Sequence, residues 1–392
     1  MMRTFASKFF VLLFLAINLR GSLGYIFRFG DPATSPTYSD RPMIFFIIWN
    51  ILTWLMLILV VLKARKISIK YLAIYSVSVI FSLICLSQTE SFYVLGAARG
   101  IILNGFLFLC LYSNGSWIKI SHINKAIEFM AAFGLVFLFY QIYQYHYFGV
   151  LPAHSHVNQS IRYGSFYDDS LVLGILLPMF AGYFFNKYQK LFSSLLTAVV
   201  VCIVAILTGS ITAIGIIFLY VAWNFRKRYG LLLFFFCAGL VLSIYFKDQI
   251  NNLWSFKSGS IAGHLEGLEP FIDLGVLTLV GFQPTGKFAE TGYLSFLYNF
   301  GMPILIIVLA FHLKVLFACR AILLEGTSSR EMRVFTGAAQ GLTISVLLAN
   351  FNLPPIVYPP VYLMVVIFSA IVIKRSTNIR LAKNTEIEIK AT

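Results

Sequence analysis

Long apolar runs recur along the whole chain and are separated by short polar segments. A helix needs about 20 predominantly apolar residues to cross a hydrocarbon core of about 30 Å. The pattern fits about twelve spans, at 9–27, 42–62, 71–86, 92–112, 126–147, 170–185, 191–208, 211–225, 231–246, 293–313, 336–350 and 361–373. We therefore predict an all-α polytopic membrane protein that forms a single integral membrane domain over residues 1–392.

Two polar segments interrupt this pattern at greater length, 148–169 and 247–290, and both are predicted to contain short helices. The second includes an apolar run of 12 residues, Phe271–Phe282, with a glycine inside it and Pro270 before it. The run is too short to span the hydrocarbon core, and proline suits the first turn of a helix. We therefore predict a re-entrant or interfacial helix here.

The distribution of Lys and Arg predicts the orientation. If the N-terminus is cytoplasmic, 22 of the 30 basic residues fall on cytoplasmic segments, and the carboxylates are biased the other way. Cytoplasmic loops carry an excess of Lys and Arg. We therefore predict that both termini are cytoplasmic and that 148–169 and 247–290 lie on the outer face.

The composition supports this class of protein. Hydrophobic residues make up 59% of the chain and charged residues 11%, and the mean hydropathy is +0.84, whereas about a quarter of an average soluble domain is charged. The net charge of +15 follows from topology and contact with anionic membrane lipids, so no nucleic acid is expected as a partner. The five cysteines form no CxxC pair, which argues against a disulfide frame or a zinc site.

Arg162 is the only Lys or Arg in the outer segment 148–169. A planar guanidinium suits bidentate contacts to phosphate, so one interpretation is a phosphate or pyrophosphate clamp. The other is an anchor to lipid headgroups or a partner for Asp168 or Asp169. Those two carboxylates open the predicted sixth span, where the helix dipole favours them; binding of a sugar hydroxyl or a cation by Asp168 is the alternative.

Arg99 lies within a predicted span and is flanked by small residues. A charge inside the membrane is costly and usually faces a cavity or a partner. We therefore favour a functional role for Arg99.

The outer segment 247–290 supplies the remaining candidates. Glu290 stands at the start of the tenth span, close to Tyr293, either as a helix N-terminal carboxylate or as a general base for a hydroxyl. His264, Lys257 and Lys287 are either solvated or form a cationic basin with Arg162 that attracts an anionic substrate. No aspartate-rich metal motif occurs on the outer face, so we predict no metal site and no cofactor.

The chain resembles the O-antigen polymerase and ligase superfamily of bacterial envelope glycan enzymes. The resemblance rests on about twelve spans with two large outer loops, on Arg162 with Gly164 ahead of a span, and on the series Gly281, Gly286, Glu290, Tyr293, Leu294 and Gly301. Two departures stand out. Ile211 occupies a place where the family often has arginine, and 247–290 has no arginine.

The resemblance implies a membrane glycosyltransferase that polymerises undecaprenyl-diphosphate-linked O-antigen repeats on the periplasmic face of the bacterial inner membrane, working with a flippase and a chain-length regulator. Arg162, assisted by Arg99 or Lys257, would stabilise the leaving diphosphate, and Glu290 or His264 would orient the acceptor hydroxyl. The diphosphate or the sugar would be contacted by Lys287, Tyr293 and Asp168. Glutamate ahead of Tyr293 resembles the polymerases more than the ligases. The alternatives are an O-antigen ligase that transfers glycan to lipid A-core, a lipid-linked oligosaccharide flippase, and a scaffold without catalysis.

Overall fold

The structure is a computed structural model that describes residues 2–19, 43–64, 67–89, 92–150, 162–165, 170–226, 275–283, 285, 292–325, 328–351 and 359–391. Every regular element in these ranges is a helix, as the sequence predicts. In chain order they are α1 Met2–Asn18, α2 Met43–Lys63, α3 Ile69–Gln88, α4 Phe92–Asn114, a 3₁₀ turn Gly115–Trp117, α5 Ile120–Phe148, α6 Ser170–Lys187, α7 Leu191–Leu207, α8 Ile211–Phe225, α9 Val276–Leu279, α10 Gly292–Leu324, α11 Arg330–Ala349 and α12 Pro359–Ala391.

Seven helical stretches are long and apolar enough to cross a membrane. They lie in α3, α4, α5, α6, α10, α11 and α12, and shorter apolar stretches lie in α1, α2, α7 and α8. The chain is therefore a polytopic helical membrane protein. The count of about twelve spans stays a prediction, and the predicted span 231–246 lies outside the described residues.

Several helices extend beyond the apolar runs that predicted them. α11 begins at Arg330 rather than at 336, with the Ser329 side chain accepting a hydrogen bond from the Met332 N–H at 3.3 Å. α12 continues to Ala391 rather than ending at 373. Lys, Arg and Glu are good helix formers, so polar residues continue a helix past its lipid-facing part. Hydropathy alone marks only that part.

The core lies mainly between α1, α5, α6, α7, α8, α11 and α12, with a smaller cluster where α3 and α4 meet α10. Large apolar side chains on the outside of the bundle, such as Leu62, Ile69 and Phe192, are exposed. Such surfaces suit contact with lipid tails.

Helices α6 and α11 pack so closely that their backbones touch. A Cβ atom built on Gly341 would lie 1.9 Å from the carbonyl oxygen of Pro178, and one on Gly182 would lie 2.1 Å from that of Gly337. Small residues allow this approach between membrane helices. These contacts fix an antiparallel pair at the centre of the molecule.

The antiparallel pair has two ends. At one, α6 begins at Ser170 and α11 ends at Ala349; we call this the Arg162 end, because residues 162–165 precede α6. At the other, the Lys187 end, Arg330 Nη2 donates to the carbonyl oxygen of Lys187 at 3.0 Å. An 18-residue helix is about 27 Å long at 1.5 Å per residue, so the two ends stand about a bilayer core apart.

Helix α10 is broken at Gly301, which has φ 71° and ψ 179°, a conformation essentially restricted to glycine. The turn after α9 packs into this break, because a Cβ on Gly301 would lie 2.4 Å from the Gly281 nitrogen. The Thr285 N–H also donates to the Tyr298 carbonyl at 3.0 Å. Residues 275–283 therefore pack against α10 at its break. The longer re-entrant or interfacial helix over Phe271–Phe282 stays a prediction.

Candidate functional site

The Arg162 segment, residues 162–165, is held between α5 and α7 by backbone hydrogen bonds. The Tyr163 N–H donates to the Leu207 carbonyl at 3.0 Å. Gln141 clamps Ser165 from both sides: its Nε2 donates to the Ser165 carbonyl at 2.9 Å, and its Oε1 accepts from the Ser165 N–H at 2.9 Å. The Gln141 side-chain amide thus makes the two hydrogen bonds that neighbouring backbone would make in a strand or helix.

Ser165 reaches deep into the bundle. Its Oγ donates to the Gly134 carbonyl at 2.6 Å, and Gly134 lies about 20 Å from the Phe148 end of α5 at 1.5 Å per residue. Ser165 is buried and has φ 55°, a left-handed conformation that costs a non-glycine residue about 1–2 kcal/mol. Such strain persists where the surroundings over-determine it, and it is concentrated at functional sites.

The arginine at the head of this segment is half-buried, and Tyr163 beside it is buried. Burial, together with the neighbouring Tyr145, raises the pKa of Tyr163, so its phenol stays protonated at neutral pH. The segment therefore presents one cation on a rigid backbone next to a neutral hydroxyl group.

The turn between α7 and α8 packs against the same segment. Leu207, whose carbonyl accepts from Tyr163, opens this turn, and Ser210 caps α8 by accepting from the Ala213 N–H at 3.3 Å. This is the turn in which Ile211 stands where the O-antigen polymerase and ligase superfamily often has arginine. The structure thus brings the Arg162 motif next to a turn that departs from that superfamily.

An apolar pocket of about 210 Å³ lies below Ser165, between α5, α6 and α7. It follows α6 from Leu173 to Phe184, about 16 Å along the helix at 1.5 Å per residue. The hydroxyl groups of Ser165 and Thr197 in its wall donate to backbone carbonyls. Because those donors are already satisfied, the pocket favours an apolar ligand.

Tyr293 lies at the same end of the α6–α11 pair. Its N–H donates to the Asn350 carbonyl at 3.2 Å, and its hydroxyl donates to the Leu347 carbonyl at 2.7 Å. Its ring packs edge-on against Phe351. The predicted substrate-binding residue therefore also fixes the start of α10 to the end of α11.

Arg99 has a partner that the sequence did not reveal. Its Nη2 donates to Asn50 Oδ1 on α2 at 2.6 Å, and its side chain is exposed. α4 packs against α2, α3 and α12, whereas the Arg162 segment is bonded to α5 and α7. The two arginines therefore belong to different helix groups.

Five predicted site residues lie outside the described residues: Asp168, Lys257, His264, Lys287 and Glu290. Their roles stay predictions. Within the described ranges, no three His, Cys, Asp or Glu side chains stand together as metal ligands would.

One partly exposed network was not predicted from the sequence. Glu128 on α5 accepts a hydrogen bond from the Tyr183 hydroxyl, and Lys187 Nζ lies 2.9 Å from the same carboxylate. The signal was available, because Glu128 is a carboxylate inside the predicted span 126–147, and intramembrane ionisable residues usually have partners.

No protein-family model matches the chain, and a search of curated proteins finds no match. The likeness to the O-antigen polymerase and ligase superfamily therefore rests on the residues named above. What the structure adds is the position of Arg162, Tyr163 and Ser165 at one end of the central helix pair, above an apolar pocket.

Proposed function

We propose that the chain is a membrane glycosyltransferase that polymerises undecaprenyl-diphosphate-linked O-antigen repeats on the outer face of the bacterial inner membrane. The observation that supports this best is the Arg162 segment itself. It carries a half-buried arginine on a backbone that Leu207 and Gln141 hold by hydrogen bonds, three residues before Ser165, which is strained and lines an apolar pocket. A lipid-linked diphosphate combines negative charge with an apolar chain, and a cation above an apolar pocket would bind both parts.

In this proposal Arg162 stabilises the diphosphate as it leaves. A guanidinium binds phosphate oxygens through two parallel hydrogen bonds, and one such ion pair at about 4 Å is worth about 4 kcal/mol at an effective dielectric near 20. The clamp formed by Gln141 keeps the backbone of the segment fixed before the substrate arrives. Such preorganised electrostatic stabilisation is usually the largest single contribution to catalysis.

The apolar pocket between α5, α6 and α7 would receive part of the polyprenyl chain. It begins at Ser165 and runs along α6 toward Phe184, so a diphosphate at Arg162 would place the first isoprene units at its mouth. Burial of apolar surface in such a pocket contributes about 25 cal/mol per Å². This anchors the donor while its sugar end stays at the membrane surface.

The acceptor hydroxyl would be oriented by Glu290 or His264. Glu290 precedes α10 by two residues in the sequence, and α10 starts at the Arg162 end, where Tyr293 is bonded to α11. A general base has to lie within hydrogen-bond reach of the proton that it accepts. We further propose about twelve spans, cytoplasmic termini and a flippase and chain-length regulator as partners.

The test is the lipopolysaccharide ladder of a host strain that lacks its own copy of the gene and carries Arg162→Ala. We expect the long ladder to be reduced to core plus one repeat, with partial recovery in Arg162→Lys. The matched control is Arg226→Ala, which removes an exposed arginine at the Lys187 end and should leave the ladder unchanged. Immunoblots of the membrane fraction establish equal amounts of protein.

Two outcomes would overturn the proposal. An unchanged ladder in Arg162→Ala would remove Arg162 from the reaction. Loss of every surface O-glycan, single repeats included, would assign the chain to ligation rather than to polymerisation.

A further inference from the structure

The Lys187 end of the α6–α11 pair contains a second pocket, of about 320 Å³. It is lined by four cationic side chains and one amide, Lys187, Lys190, Arg330, Arg333 and Gln189. Among the described residues no carboxylate belongs to this lining. The volume is at the lower end of the range for small-molecule sites, about 300–1,000 Å³.

Two of the four cations are held in place by the protein. Lys187 Nζ lies 2.9 Å from Glu128 Oε1, and the Lys187 carbonyl accepts from Arg330 Nη2 at 3.0 Å. Glu128 is in turn bonded by the hydroxyl of Tyr183. A hydrogen-bond and ion-pair network beside the pocket thus fixes Lys187 and Arg330, and the excess charge of the lining is positive.

Arg333 leaves a donor without an acceptor. Its Nε is buried and has no hydrogen-bond partner among the described residues. An unsatisfied buried donor costs about 1–3 kcal/mol, and more when the group is charged. Because Arg333 also lines the pocket, an acceptor bound there would lie beside this guanidinium.

The position of Arg330 and Arg333 is a second, independent argument that an anion binds here. Arg330 and Arg333 stand three residues apart in the first turn of α11, so they share one face of the helix. The N-terminal turn of a helix carries a partial positive charge, which favours anions and disfavours cations. Like charges placed together at this position are stabilised when an anion lies between them.

We propose that this pocket binds a phosphate group, carried either by the headgroup of an anionic lipid or by a soluble phosphate compound. Guanidinium groups fit phosphate oxygens in a bidentate manner. α6 and α11 are both candidate membrane spans, so their ends lie at headgroup level, where basic pockets between helices bind anionic lipids. The site is at the opposite end of α6 from Arg162 and does not depend on the proposed function.

The test uses full-length protein purified in a non-ionic detergent and delipidated. Native mass spectrometry measures binding of phosphatidylglycerol against phosphatidylcholine, and thermal unfolding measures binding of inorganic pyrophosphate. The variants are Arg330→Gln/Arg333→Gln and, because Arg330 also bonds Lys187, the single change Lys190→Gln. The control is Arg226→Gln at the same end outside the pocket, which removes one positive charge as Lys190→Gln does.

If the lipid is the ligand, wild type and Arg226→Gln bind phosphatidylglycerol more tightly than phosphatidylcholine. The double variant then binds phosphatidylglycerol at least about tenfold more weakly, because a hydrogen bond to a charged group is worth about a factor of ten or more. If the ligand is soluble, pyrophosphate instead raises the unfolding temperature of wild type, and the double variant loses that increase. Lys190→Gln shows a smaller loss of the same kind.

The proposal is overturned if both probes bind equally to wild type, to the pocket variants and to Arg226→Gln. It is also overturned if phosphatidylcholine binds wild type as tightly as phosphatidylglycerol and pyrophosphate has no effect.

Discussion

The two ends of the α6–α11 pair differ in how their described cationic side chains are arranged and surrounded. At the Arg162 end the described residues place half-buried Arg162 on a backbone that Gln141 and Leu207 fix by hydrogen bonds, above an apolar pocket. At the Lys187 end four cations surround a pocket, and only Lys187 has a carboxylate partner within the described residues. The described residues at one end therefore hold Arg162 on a hydrogen-bonded backbone, whereas those at the other end form a cluster of positive charge.

One helix pair can therefore present different chemistry at its two ends. A single arginine on a fixed backbone suits a reaction, since catalysis gains from groups that need no reorganisation. A cluster of cations at the end of two spans suits retention of an anion, since attraction depends on summed charge. Close packing of α6 on α11 keeps the two sites apart and in a fixed relation.

We expect the largest effect from a substitution that forces α6 and α11 apart. Gly341→Ala would put a methyl group 1.9 Å from the Pro178 carbonyl, and overpacking of this kind costs about 1–3 kcal/mol, occasionally more. We expect a lower thermal unfolding temperature at a fixed scan rate. The glycan ladder should be shorter and phosphatidylglycerol binding weaker. The matched control is Gly215→Ala on α8, which meets no atom within 4 Å and should be neutral or stabilising.

An unfolding temperature of Gly341→Ala equal to that of Gly215→Ala would show that the two helices are not in backbone contact. The fixed relation of the two ends would then have no basis.

The next effect separates the two ends. Gln141→Ala leaves the Ser165 N–H and carbonyl without their partner, at a cost of about 1–3 kcal/mol for a buried polar group. We expect faster hydrogen exchange in residues 162–165 and a shorter glycan ladder, with phosphatidylglycerol binding unchanged. Gln144→Ala, the same truncation one turn further along α5, is the control and should leave exchange in the segment unchanged.

Equal exchange in Gln141→Ala and Gln144→Ala would contradict the clamp. An equal loss of lipid binding in Gln141→Ala would contradict the independence of the two ends.

The smallest effect lies at the Lys187 end. Glu128→Gln removes the charge that pairs with Lys187 but keeps an acceptor for Tyr183. Because the pair is partly exposed, we expect a loss of only about 0.2–1 kcal/mol, measured as a small decrease in unfolding temperature. Phosphatidylglycerol binding should be equal or tighter, since the local charge becomes more positive, and the ladder should not change. Weaker lipid binding would contradict the picture of an anion pocket.

Much of the fold follows from the sequence, because apolar runs of the length needed to span a bilayer are a strong signal. Helix ends were less accurate: α12 runs on through charged residues to Ala391, since helix formation does not require apolar side chains. The packing at the Gly301 break could not be predicted from the sequence. It depends on the close approach of Gly281, which lies before α10 in the chain.

The sequence points to the functional residue types of the candidate site, but not to the contacts that hold them in place. Arg162 was singled out because it is the only Lys or Arg in its outer segment, yet nothing in the sequence joins Ser165 to Gln141 or Gly134. These contacts are long-range hydrogen bonds that hydropathy does not encode. Likewise Asn50 gave no sign that it would accept from Arg99.

We propose that Arg162 acts directly in polymerisation. The most direct measurement uses purified protein reconstituted in liposomes with a polyprenyl-diphosphate-linked oligosaccharide, following the length of the lipid-linked products over time. We expect wild type and Arg330→Gln/Arg333→Gln to form longer chains at comparable rates, and Arg162→Ala to be slower by about a hundredfold or more, the scale of losing one electrostatic stabiliser of a transition state. An Arg162→Ala protein that extends chains at the wild-type rate would contradict the account.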